Sequence, residues 1–96
     1  MEDLLTKERA DVKLPRRYNV VMLNDDFTPV DFVVEVLTRL FDKTFDEAAA
    51  LAFEVHRGGR GIAGTYTRDI AETKQARAMD FAKSEEHPFR MEVQPA

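Results

Sequence analysis

The stretch Tyr18-Asn19-Val20-Val21-Met22-Leu23 is β-rich and nearly continuous in its apolar content, and it constrains the fold more than any other segment. A strand of this kind is buried on much of both faces, so the rest of the chain must supply its cover. Three helix signals follow it. After the turn-forming Asn24-Asp25-Asp26-Phe27, Thr28 before Pro29 reads as an N-cap with proline at the first helical position. The apolar residues Phe32, Val33, Val36, Leu37, Leu40 and Phe41 then form a wide helical stripe, with Asp31 and Glu35 off it. Thr44-Phe45-Asp46-Glu47 has capping-box form, and Ala48, Leu51, Ala52 and Val55 repeat at i, i+3, i+4 and i+7 before Gly58-Gly59 ends the second helix. His56 falls in its last turn. A short β-rich run, Ile62 to Thr67, leads to a third helix opened by Thr67 or Arg68 and running to about Glu85. Its Ala71, Ala76, Ala78 and Ala82 predict a small-residue face against the strands. Phe89 to Val93, after His87-Pro88, reads as the last strand.

The order β-α-α-β-α-β predicts an α/β (α+β) sandwich, small, with a three-stranded sheet packed on helices. Ninety-six residues suit one domain, and 44% apolar residues, seven of them Phe, suffice for one core. Residues 1–16 mix both charge signs with few large apolar groups, so they read as a flexible arm, and residues 17–96 as the folded domain. No apolar run approaches the roughly 20 residues needed to span a bilayer, and Met1-Glu2-Asp3 lacks the basic end of a signal peptide. With no cysteine there is neither disulfide nor thiolate chemistry, and a reducing, cytoplasmic location is the expectation.

A net charge of −4 argues against a nucleic-acid binder, which needs a basic face to displace counterions. The charge is also uneven: Asp25, Asp26, Asp31, Glu35, Asp42, Asp46, Glu47 and Glu54 face only Arg39 and Lys43, giving −6 to this third of the chain and +2 to the remainder. Such a field either attracts a cation, an amine or a basic peptide, or solvates the helices.

The polar turn at 24–26 sits where a strand ends and a helix begins. Asn24 and Asp26 there either shape an Asx-type turn or, with Asp25, belong to a site. His56 has two readings as well: it meets the helix dipole and last carbonyls, or it joins that turn when the second helix folds back on the first. If Asn24, Asp25 and His56 converge, an amide oxygen, a carboxylate and a neutral imidazole nitrogen offer three acceptors, and a primary ammonium has three donors and one charge to match them. A hydrolase would lack its nucleophile, since the only serine, Ser84, is remote and carries no activating motif. One histidine beside adjacent aspartates has no zinc or calcium spacing, and Gly58-Gly59-Arg60-Gly61 lacks the Lys-Ser or Lys-Thr of a P-loop, so neither metal nor cofactor is expected.

The run Leu23-Asn24-Asp25-Asp26-Phe27-Thr28-Pro29, the Val55-His56 before the glycines, Ala71-Glu72-Thr73-Lys74 and the late Glu86-His87-Pro88 resemble the ClpS family, in its order and spacing, over about residues 15 to 95. The resemblance implies the same β-α-α-β-α-β fold and a non-enzymatic adaptor of the N-end rule. Such an adaptor captures proteins by a bulky first residue (Leu, Phe, Tyr or Trp) and hands them to the ClpA unfoldase of the ClpAP protease. It implies that Asn24, Asp25 and His56 hold the free α-amino group, and that Met22, Thr28, Val30, Val33, Ala52 and Val55 line the side-chain pocket. It further implies that Asp69, Glu72 and Lys74 contact the unfoldase's N-terminal domain, and that the arm before Tyr18 serves delivery. Val30 stands where the family often has Met, Ala52 where it has a larger residue, and Asp69 where Glu is frequent. Lys74 is expected to be exposed. The alternative is a structural interaction domain resembling the C-terminal domain of the ribosomal stalk protein, which would leave Asn24, Asp25 and His56 splayed and without a ligand.

Overall fold

The computed structural model describes residues 16–96; the expected arm at 1–16 lies, except for Arg16, outside the described residues. The apolar strand β1 (Arg17–Leu23) is followed by helices α1 (Val30–Leu40) and α2 (Phe45–Gly58), strand β2 (Arg60–Thr67), helix α3 (Arg68–Ser84) and strand β3 (Arg90–Pro95). The order β-α-α-β-α-β is the one the sequence predicts. β1 is the middle strand, antiparallel to β2 on one side and β3 on the other. Two hydrogen-bonded partners and packing on both faces explain its continuous apolar run: Val20 and Met22 join the helix-covered core, and Val21, on the other face, is still only 2% exposed. Arg60 of β2 reaches Gln94 of β3 at 2.9 Å, bridging over β1.

The pairing of β1 with β2 shifts between Val20 and Val21, leaving Ala63 of β2 as the extra residue of a bulge. α3 lies against all three strands, α1 packs on α2 and α3, and α2 closes over β2. Gly61 permits that closure, since a Cβ there would stand 2.8 Å from Cγ2 of Val55 and 3.0 Å from Cδ1 of Leu51. The core holds Phe32, Val36, Leu37 and Phe41 of the first stripe and Ala48 and Val55 of the second.

Four expectations are corrected. α1 begins one residue late, at Val30, with Pro29 in the cap position and no side-chain cap, because the Thr28 hydroxyl is spent elsewhere. β2 reaches back to Arg60, which pairs with Leu23, so Arg60 and Gly61 belong to the sheet. β3 runs from Arg90 to Pro95, and its terminal proline is tolerated at the end of an edge strand. Ala76 is exposed, whereas Ala71, Ala78 and Ala82 are fully buried. At 100° per residue Ala76 points about 140° away from Ala71, while Ala78 and Ala82 return to its face.

Candidate functional site

The site forms where β1 ends. Leu23 is paired with Arg60, and the next amide, that of Asn24, donates to the carbonyl of Gly59 at 2.9 Å. That bond ties the polar turn to the C-terminus of α2, which Gly59 terminates at φ 89° with its amide on the carbonyl of Val55. His56, in the last turn of α2, is thereby carried to the turn at 24–26. Helix and turn then face each other across one cavity of about 40 Å³, room for a few waters at roughly 10–15 Å³ each.

All three polar candidates, Asn24, Asp25 and His56, line this cavity. So do all six apolar or gating candidates: Met22 and Thr28, Val30 and Val33 of α1, and Ala52 and Val55 of α2. Met22, Ala52 and Val55 are buried, Thr28 and Val33 half-buried, and Val30 is 58% exposed at the rim. The polar members stay nearer solvent, Asp25 half-buried, Asn24 and His56 exposed.

Asp25 shapes the turn itself. One carboxylate oxygen accepts from the amides of Phe27 at 2.8 Å and Thr28 at 2.7 Å, and the other accepts from the Thr28 hydroxyl at 2.7 Å. The Asx-type turn is therefore made by Asp25, where the sequence suggested Asn24 or Asp26. Burial alone would raise the Asp25 carboxyl, but the Thr28 hydroxyl, the Phe27 and Thr28 amides and nearby His87 outweigh it and hold it below the usual carboxylate range. A carboxylate offers about four lone-pair sites, and three donors use three of them, so the anion keeps capacity for one further N–H.

Three residues of this neighbourhood were not among the predicted site residues. Leu23 and Phe89, the latter 4% exposed, are further cavity walls, and His87, whose ring lies 4.6 Å from that of Phe32, helps to lower the Asp25 carboxyl. The signal for Phe89 was the pairing of Leu23 with Arg90, which sets residue 89 beside the end of β1. That register cannot be read from either strand alone.

The three residues assigned by resemblance to unfoldase contact divide. Asp69 and Glu72 are exposed on the first turns of α3, Glu72 within 3.3 Å of Arg68. Lys74 is half-buried, which corrects its expected exposure: its ammonium donates to the carbonyl of Leu40, the last residue of α1, at 2.7 Å and lies 5.2 Å from the ring centre of Tyr66 and 5.6 Å from that of Phe41. Among the described residues no helix is long and apolar enough to cross a membrane.

Comparison with known proteins follows the same geometry. A family model described as "ATP-dependent Clp protease adaptor protein ClpS" matches residues 13–92. The ATP-dependent Clp protease adapter protein ClpS of Deinococcus radiodurans is 49% identical over 90 residues, covering 94% of this chain and 80% of that protein. The protein of the same name from Vibrio atlanticus is 50% identical over 87 residues, covering 91% and 82%. Among solved structures, Agrobacterium tumefaciens ClpS2 bound to L-phenylalaninamide superposes with a TM-score of 0.84 at 36% identity, covering 86% of this chain and all of that one.

Proposed function

This chain belongs to the ClpS family of ATP-dependent Clp protease adaptors, and from that premise we propose that it is a non-enzymatic adaptor binding the free α-amino group and bulky first side chain of N-end rule substrates. The observation that carries the reading is the gathering of all nine candidate residues around one cavity, apolar inside and polar at its mouth. An incoming ammonium gives one N–H to the Asn24 amide oxygen, one to Asp25 and one to the neutral His56 imidazole, and Asp25 balances its charge. The side chain of Leu, Phe, Tyr or Trp enters between Met22, Val33, Ala52 and Val55, past Thr28 and Val30. The phenylalaninamide held by the Agrobacterium relative carries the same two parts, a free amine and a large apolar side chain. Burying such a side chain contributes about 1.5–3 kcal/mol, and each charge-assisted hydrogen bond about as much, so neither half suffices alone.

The bound substrate passes to the N-terminal domain of a ClpA-type unfoldase in the cytoplasm, which this reading assigns to the first turns of α3 with Asp69, Glu72 and Lys74, with the segment before Tyr18 serving delivery. Neither nucleic acid nor membrane takes part. Peptides identical except for their first residue, each free and acetylated, test the adaptor reading by fluorescence anisotropy. Free Leu and Phe peptides are expected to bind, and Gly-initiated or acetylated ones to lose measurable affinity. Equal binding of free and acetylated peptides overturns amine recognition.

A further inference from the structure

Most walls of the cavity are aliphatic or small. Met22, Val33 and Val55 are aliphatic, and Ala52 adds a single methyl group. Phe89 is the exception: apart from the His56 imidazole at the mouth, it is the one aromatic ring among the described residues lining the cavity, and it is 4% exposed. Its ring is not free to turn away. It stands nearly edge-on to Phe32, with centroids 6.0 Å apart and planes at 76°, and Phe32 in turn lies 4.9 Å from Phe81 and 4.6 Å from His87. Phe32 of α1 thus packs against three rings, Phe81 of α3 and His87 and Phe89 of the segment leading to β3, and the last of these lines the space a side chain would enter.

We propose that Phe89 makes this pocket selective for aromatic over aliphatic first side chains; the proposal rests on the adaptor reading above and adds to it the substrate class that the site prefers. An aliphatic side chain gains only the area it buries against Phe89. A ring gains, besides, the electrostatics of an offset or edge-to-face pair, and it gains them without ordering the protein's ring, which is already held. The small Ala52 leaves width for a ring where a longer wall residue would take it up.

The test compares three peptides differing only at residue one: phenylalanine, leucine and cyclohexylalanine. Cyclohexylalanine keeps the six-membered outline and is more hydrophobic, but it has no π-system. The free phenylalanine peptide is expected to bind the wild-type protein about two- to tenfold more tightly than its cyclohexyl analogue. In Phe89→Leu the ratio falls to one or below, whatever the change in absolute affinity, with the melting transition confirming a folded protein. A wild-type ratio at or below one overturns the proposal by itself, so the decision stands even if Phe89→Leu fails to fold. So does an unchanged ratio in a folded Phe89→Leu. Failure of the adaptor reading looks different: then the acetylated phenylalanine peptide binds as well as the free one, or none of the free peptides binds.

Discussion

The two helices that face each other across the cavity are held in opposite ways. α2 is closed by its own sequence at both ends. Thr44 accepts from the amide of Glu47 at 3.1 Å, Glu47 accepts from the amide of Thr44 at 2.9 Å, and Gly59 turns the chain at φ 89°. α1 has no side-chain cap at its start. Its threonine donates to Asp25 instead, and its last carbonyl, that of Leu40, takes its donor from Lys74, thirty-four residues further on. A threonine beside an acid precedes both helices, but in one case the pair stabilises the helix and in the other it orients a carboxylate. The start of α1 gives its threonine to the site, while its end is closed locally by the amides of Phe41 and Lys43 on the carbonyl of Leu37, with Asp42 at φ 54°, and Lys74 adds a remote donor.

The largest expected effect breaks the borrowed arrangement at Asp25. Asp25→Asn keeps an oxygen for the two amides but removes the charge, and is expected to weaken binding of a free Leu peptide by about 2–4 kcal/mol, roughly thirty- to a thousandfold. Isothermal titration reads it, and affinity within threefold of wild type would remove Asp25 from the amine site. The pH dependence has a fixed sign. Asp25 is held below the usual carboxylate range, so it stays ionised down to low pH, and its contribution disappears only as pH falls through that depressed value. His56→Ala, which removes one of the three acceptors, is expected to weaken binding of the same free peptide by about tenfold, and wild-type affinity in that variant would remove His56 from the amine site.

Lys74→Met removes the remote donor of α1 while keeping most of the side chain's length. The expected loss is about 1–2 kcal/mol of unfolding free energy, from one charge-assisted hydrogen bond and two ring contacts, measured by urea denaturation. Glu72→Ala, on the exposed pair, is expected to cost under ~0.5 kcal/mol. Equal costs would mean that Lys74 is as free as its neighbour.

Thr44→Ala is the local counterpart, with an expected loss of about 1 kcal/mol of stability and no change in peptide affinity; a parallel fall in affinity would erase the contrast between the two helix starts. An effect of similar size, on specificity and not on stability, belongs to Val30 at the rim. Val is shorter than Met and so excludes β-branched first residues less strictly, and Val30→Met is expected to raise the preference for Leu over Ile by roughly fivefold, ~1 kcal/mol. An unchanged ratio places selectivity deeper, near Ala52 and Val55.

The same contrast explains what the sequence could disclose. The capping box at Thr44 and the glycine stop at Gly59 are local devices, and both ends of α2 were legible to within a residue. The start of α1 was misread by one residue because the hydroxyl of Thr28 had a better use three positions back, and no propensity scale records that competition. Lys74 looks like a solvated helix residue until the C-terminus of α1 and the rings of Phe41 and Tyr66 are folded around it. The gathering of Asn24, Asp25 and His56 was chemically legible as three matching acceptors, but their meeting depends on the bond from Asn24 to Gly59 and on the pairing of Leu23 with Arg60. Phe89 was missed for the same reason, since its place follows from a strand register and not from any pattern around it.

The central position of β1 also orders events in time. Its pairs with β3 are 67 to 77 residues apart along the chain, from Leu23 opposite Arg90 to Tyr18 opposite Pro95, and such distant pairings close late in folding because loop entropy is lost before contacts repay it. The wall residue Phe89 arrives with β3, and the hydrogen bond from Asn24 to Gly59 completes the mouth only once β2 has docked. A chain cut short before residue 89 therefore carries in its sequence the acidic turn and both helices that face the cavity, yet lacks one wall of that cavity and the strand that sets it in place.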